Sequence, residues 1–259
     1  MWQCSFCSLE CAERVTPGVC PRCFKVDCYI RPRTYKPARQ VSLIPDVDLP
    51  RIKTGETDVD MILHGGFVEA SRVLLWGRGG TGKSRLAMRW STGHTNALYI
   101  SLEMYEPIAA HAARSAGADA NRLFLTESYD GFARKAKENS CRIVVLDSIS
   151  VVPRHEQKEL LEDLTKWVER LNTLVIVICH QTKRGQHAGS HAIQHWGDTE
   201  LFLKHSKTGA VIVEVLKSRG SPNGKCKTTL GNETKEPSGD DAEQENEQNK
   251  FPRRRLQAL

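Results

Sequence analysis

The chain has 259 residues, enough for one large α/β domain and a small appendage. No stretch approaches the roughly 20 consecutive apolar residues that a membrane span needs. The formal charge of +6 and a pI of about 8.8 are modestly basic, a hint of a polyanionic partner and no more. The opening Met1-Trp2-Gln3-Cys4 lacks the basic start and apolar run of a signal peptide. The expectation is therefore a cytoplasmic protein whose nine cysteines are not structural disulfides.

Six of those cysteines lie in the first 28 residues. Cys4-x2-Cys7, twelve residues, and Cys20-Pro21-Arg22-Cys23 form two knuckles, each able to present two thiolates to one tetrahedral zinc ion. The Thr16-Pro17-Gly18 turn suits a short β-ribbon between them. So short a segment buries too little apolar surface to fold alone, and zinc supplies the missing free energy. Four thiolates leave no open position for water, so residues 1–30 read as a structural zinc ribbon, with Cys11 and Cys28 as spectators. Residues 31–56, with Pro32, Pro37, Pro45 and Pro50, read as an extended linker. Between Arg22 and Arg39 six basic residues face one acid, Asp27. That excess suits either a nucleic-acid backbone or a solvated linker.

From 57 to 231 apolar runs alternate with amphipathic stretches. Strands are expected at 72–76, 97–101, 122–126, 142–147 and 173–179, and helices at 83–91, 106–116, 130–138 and 156–171. This alternation means βαβ units and a mainly parallel sheet. The first strand runs into Gly77-Arg78-Gly79-Gly80-Thr81-Gly82-Lys83-Ser84, a complete phosphate-binding loop. Its glycines let successive backbone N–H groups turn toward phosphate oxygens. Lys83 can reach the β- and γ-phosphates, Ser84 can ligate Mg²⁺, and the following helix directs its N-terminal dipole at the anion. Glu103, just past the second strand, is placed to orient or deprotonate water. Asp147, which ends Ile143-Val144-Val145-Leu146, is the acid expected to hold Mg²⁺ opposite Ser84. His180 and Gln181 end another buried strand and suit a hydrogen bond to the γ-phosphate, while Cys179 reads as core.

From His180 to His205 the chain carries five histidines. Gly185 and Gly189, and the lack of a matching carboxylate, favour a flexible phosphate-facing loop over a helical metal site for His187, His191 and His195. Thr199–Lys204, a turn at 206–209 and Ala210–Leu216 read as an antiparallel hairpin. Residues 232–259 are polar and expected to be disordered, with many carboxylates and amides between Asp240 and Asn249.

Taken together, the ribbon, the phosphate loop, Ala97-Leu98-Tyr99-Ile100-Ser101, Asp147-Ser148, His180-Gln181-Thr182-Lys183 and His195-Trp196-Gly197-Asp198-Thr199 resemble the RadA/Sms-type ATPases. These are bacterial relatives of RecA and of the ring-forming replicative helicases. The resemblance implies a RecA-like ATPase core and ATP-dependent, DNA-stimulated action in recombination and repair. It also implies a homo-oligomeric ring binding single-stranded or branched DNA, with recombinase or helicase proteins as partners. Lys217-Ser218-Arg219-Gly220 resembles the family's K-N-R-F-G motif, which would project Lys217 and Arg219 into the adjoining subunit's site. The motif here lacks the asparagine and phenylalanine. Leu102-Glu103-Met104 is closer to the replicative helicases, and the family's carboxy-terminal protease-like domain is expected to be missing. Two other readings fit the same core: a nucleotide-switched regulatory module that binds a protein partner, and a replicative-helicase-like motor.

Overall fold

The computed structural model describes residues 48–182, 187–188, 191–220 and 224–228, together with the backbone of 2–4, 10–11 and 29–30. It divides into two compact units, Met1–Asp48 and Leu49–Leu259. In the first, β1 (Trp2–Cys4) lies between β2 (Glu10–Cys11) and β3 (Tyr29–Ile30), antiparallel to both. Cys7, Cys20 and Cys23, most of the basic linker, Lys183 and the tail at 232–259 lie outside the described residues.

The second unit is built on a sheet of eight described strands. The chain runs β4 (Arg51–Ile52), α1 (Thr57–Ile62), β5 (Phe67–Val68), β6 (Arg72–Gly77), α2 (Lys83–Thr92), β7 (Ala97–Ser101) and α3 (Glu106–Ser115). It continues through β8 (Leu123–Thr126), α4 (Phe132–Glu138), β9 (Ile143–Asp147), a 3₁₀ turn (Ile149–Val151), α5 (Arg154–Leu171) and β10 (Leu174–His180). Last come α6 (His191–Trp196), β11 (Thr199–His205), β12 (Val211–Ser218) and β13 (Lys225–Thr228). The strand order is β13-β12-β11-β6-β10-β9-β7-β8, parallel from β11 to β8 and antiparallel across β12 and β13.

Burial follows from this layering. Every residue of β9 is buried, because helices cover both faces of a parallel sheet. Successive strand residues feed opposite cores. Val73, Leu75, Tyr99, Val145 and Ile178 pack with Leu86 and Trp90 of α2 and Ala109 of α3. Leu74, Leu98, Leu146 and Val177 pack with Phe132 of α4, Leu164 of α5 and Ile193 of α6. Strands β11 and β12 alternate buried with half-buried residues, as a half-covered antiparallel pair should.

Two parts of the fold differ from the sequence expectation. Residues 191–196, read as loop, form helix α6, because Ile193 and Trp196 supply an apolar i,i+3 pair that the histidines obscure. Trp196 Nε1 donates to Leu161 O at 3.1 Å and to Thr165 Oγ1 at 3.0 Å, tying α6 to α5. The last residues of the stretch read as linker also join the core. Arg51 donates to Leu63 O and Gly66 O at 2.7 and 3.0 Å. Glu56 accepts from Arg89, from the Trp90 indole and from Thr228.

Candidate functional site

The loop between β6 and α2 lies at the carboxyl ends of the parallel strands. There the chain leaves β6 for β7 and passes over β10 and β9, the crevice position that ligands occupy in open α/β sheets. Gly77 is required sterically, since a Cβ there would sit 2.3 Å from the Leu203 carbonyl oxygen of β11. Gly82, at φ +83°, turns the chain into α2 in a left-handed conformation that favours glycine. Gly79 and Gly80 are exposed, and a Cβ on either would meet nothing within 4 Å, which leaves the loop's outer face open to a ligand. Thr81 Oγ1 donates to Arg78 O at 2.9 Å and braces the turn. Arg78 is itself exposed.

Lys83 is only 4 % exposed, and its Nζ donates to Gly77 O at 3.1 Å and Arg78 O at 2.8 Å. Burial pulls its pKa below the ordinary lysine value, while Asp147 and Glu103 oppose that by favouring the charge. Asp147, 1 % exposed at the end of β9, feels the converse: burial raises its carboxyl, and contacts from Ser84 and Tyr99 partly offset the rise. Ser84 and Asp147 thus come together, one hydroxyl and one carboxylate beside a lysine, a hard-oxygen pair suited to Mg²⁺.

Glu103 follows β7. Its Oε1 accepts from Ser148 Oγ and lies 2.8 Å from His180 Nε2. Burial alone would raise its carboxyl, yet those two partners hold it below the ordinary glutamate value, so it is a carboxylate at neutral pH. His180 N donates to Ser150 Oγ at 3.0 Å, and Gln181 N to Gly77 O at 3.0 Å, which anchors the end of β10 to the phosphate loop. His187 returns to the same region. It pairs with Glu200 at 2.9 Å and packs at a tilt against Trp76, and Ala188 N donates to His180 O. Cys179 is buried core.

Lys217 and Arg219 stand elsewhere. Lys217 lies across the β11–β12 ladder from Glu200, near the start of β11, and its Nζ donates to Gly197 O at 2.6 Å. Arg219 binds Asp198 at 2.8 Å, and Asp198 also accepts a forked pair of bonds from Arg72. Arg72 begins β6 and Gly77 ends it, so Arg219, held at the Arg72 end, sits about 15 Å by strand rise from the level of its own chain's phosphate loop, and Lys217, level with Leu74, sits about 10 Å below it and two strands to the side.

Tyr99, Ser148, Ser150 and Asp198 belong to these networks, although the sequence reading gives them no role. Strand alternation carried the signal for Tyr99: it shares a face with Ser101, which is paired with Asp147.

A glycine loop feeding a helix, with a buried lysine and two strand-end carboxylates, defines a phosphate-loop nucleotide site on a RecA-like core. Comparison with known proteins narrows the class. A family profile described as an AAA domain matches residues 37–186, more than half of the chain, and the chain belongs to that family as an ATPase of RadA/RecA type. It is similar to the DNA repair protein RadA of Pseudomonas aeruginosa, with 27 % identity over 188 residues, 66 % of this chain and 42 % of that one. The Campylobacter jejuni DNA repair protein RadA is 26 % identical over 239 residues, 80 % of this chain and 53 % of that one. The chain thus spans about half the length, or less, of these curated relatives. In fold it is similar to a KaiC-like protein from Pyrococcus horikoshii, at a TM-score of 0.59 and 20 % identity, over 69 % of this chain and 93 % of that one. Among the described residues no helix is long and apolar enough to cross a membrane.

Because Ser148 is one of the two donors that lower the Glu103 carboxyl, Ser148→Ala should move its titration to higher pH. Carboxyl-carbon NMR titration of the full chain checks this; an unmoved Glu103 would show that the Ser148 contact is not felt.

Proposed function

We propose that the chain is a DNA-dependent ATPase acting in recombination and repair, which hydrolyses ATP at interfaces between copies of itself. The observation that carries the reading is the convergence of Lys83, Ser84, Asp147 and Glu103 at one end of the sheet. On this reading the main-chain amides of 77–84 receive phosphate oxygens and Lys83 offsets their charge. Ser84 and Asp147 hold Mg²⁺, which when bound neutralises charge on the β- and γ-phosphates. Glu103, kept ionised by its two donors, takes the proton of the attacking water. His180 and Gln181 would supply hydrogen bonds to the γ-phosphate.

Lys217 and Arg219 are too far from their own loop to act there, which supports a role in a neighbouring copy's site. Cationic fingers of this kind contribute about 10³–10⁵ in rate in other phosphate-loop enzymes. The DNA assignment is supported by the naming of the RadA relatives as DNA repair proteins and by the basic residues from Arg22 to Arg39.

Turnover measured with and without single-stranded DNA at two salt concentrations tests the assignment. Stimulation that fades as salt rises is expected. No binding and no stimulation would instead favour a nucleotide-switched module acting on a protein partner. Glu103→Gln should retain nucleotide and slow hydrolysis by about 10²–10⁴-fold. Undiminished turnover would remove Glu103 from the role of base.

For the amino-terminal unit we propose a structural zinc held by Cys4, Cys7, Cys20 and Cys23. The spacing supports it, and so does the position of Cys4 at the end of the central strand of an antiparallel ribbon. Metal analysis of the purified chain should find one zinc per chain, lost on Cys20→Ser. A folded ribbon without zinc would exclude the assignment.

A further inference from the structure

Tyr99 lies in the middle of β7, beneath α2, and is fully buried among Leu86, Val145 and Ile178 of one core. A phenylalanine would complete that apolar packing. The hydroxyl, once buried, must find a partner, because an unpaired hydroxyl removed from water is costly. Its partner is the carboxylate at the end of the neighbouring strand: Tyr99 Oη donates to Asp147 Oδ2 at 2.5 Å. The Ser84 side chain lies against both groups. Parallel pairing explains the approach. Tyr99 is opposite Val145 and Ser101 opposite Asp147, so residues 99, 145 and 147 share the face that α2 covers. The ring rises from that face toward the first turn of α2, where Ser84 sits.

We propose that Tyr99 is a positioning residue of the nucleotide site, its hydroxyl fixing the Asp147 carboxylate beside Ser84 so that the two oxygens are already arranged to receive a divalent cation. The inference rests on the reading of Ser84 and Asp147 as the cation-holding pair and adds the group that orients them. A carboxylate with one oxygen engaged cannot rotate freely, and a ligand held in place loses less entropy when the metal arrives. Partners of this kind behind metal ligands alter metal affinity or activity by about 10–100-fold when removed. They work through the ligand, without contact with the metal or the substrate.

The test is Tyr99→Phe in the full chain, which deletes one oxygen and keeps the ring. ATP turnover is measured as a function of Mg²⁺ concentration, nucleotide binding is measured in EDTA, and thermal unfolding is followed separately. The Mg²⁺ concentration for half-maximal turnover should rise about 10–100-fold, with metal-free nucleotide binding unchanged. A purely packing role would lower the unfolding temperature and leave the Mg²⁺ requirement where it was, and that result overturns the inference. If Tyr99→Phe does not fold, 4-aminophenylalanine and 4-methylphenylalanine at position 99 take its place, similar in size and differing in the donor. The amino form should keep the parental Mg²⁺ requirement and the methyl form should raise it; equal requirements overturn the inference. Should the parent chain turn over ATP without any divalent cation, the reading of Ser84 and Asp147 fails as well. A cation-dependent parent with an unaltered Tyr99→Phe variant sinks the Tyr99 inference alone.

Discussion

Lys83 carries its ammonium almost out of reach of water, under a loop whose own carbonyls are its nearest acceptors. Such a group keeps its charge only if negative charge lies close by, and Asp147 and Glu103 supply it from the ends of two strands. The dependence is mutual, because Asp147 is also desolvated and leans on its neighbours to stay ionised. Much of the core serves to hold these three groups together. Parallel strands bring β6, β7, β9 and β10 to one level. Gly77 lets β11 approach to contact distance, and α2 closes the face above Tyr99. On the proposed reading, a triphosphate entering such a site meets buried positive charge, and electrostatic preorganisation of that kind lowers a barrier.

The opposite end of the sheet is organised around Asp198, which gathers Arg72 and Arg219, while Lys217 is pinned to Gly197 close by. Within one chain these cations are structural. Their distance from the phosphate loop gives the molecule two unlike ends, and heterologous contact between unlike ends generates rings or filaments. On the proposed reading, the surface that meets a neighbour's nucleotide is the short hairpin of β11 and β12, whose alternating burial fixes its register on the core.

Much of this arrangement was legible in the sequence. The runs at 143–147 and 174–180 could be read as buried parallel strands because both faces are covered and no polar alternation interrupts them. The phosphate loop was legible because each of its residue types answers a separate demand. Glu103 and Asp147 could be placed at strand ends by counting. What escaped depends on contacts between residues far apart in sequence. Glu56 gathers Arg89, Trp90 and Thr228, none of which its own neighbourhood announces. Helix α6 was hidden by glycines before it and histidines within it, though Ile193 and Trp196 bury its inner side. The Tyr99 hydroxyl was masked by an apolar strand in which any aromatic ring would fit.

The proposed chemistry requires a nucleotide held by the amides of 77–84 together with Lys83. Equilibrium titration of ATP with Mg²⁺ into the full folded chain, beside Lys83→Ala, tests this most directly. Saturable binding of one nucleotide per chain, abolished or severely weakened in the variant, is the predicted result. A folded chain with no affinity for adenine or guanine nucleotides in the presence of Mg²⁺ would contradict it.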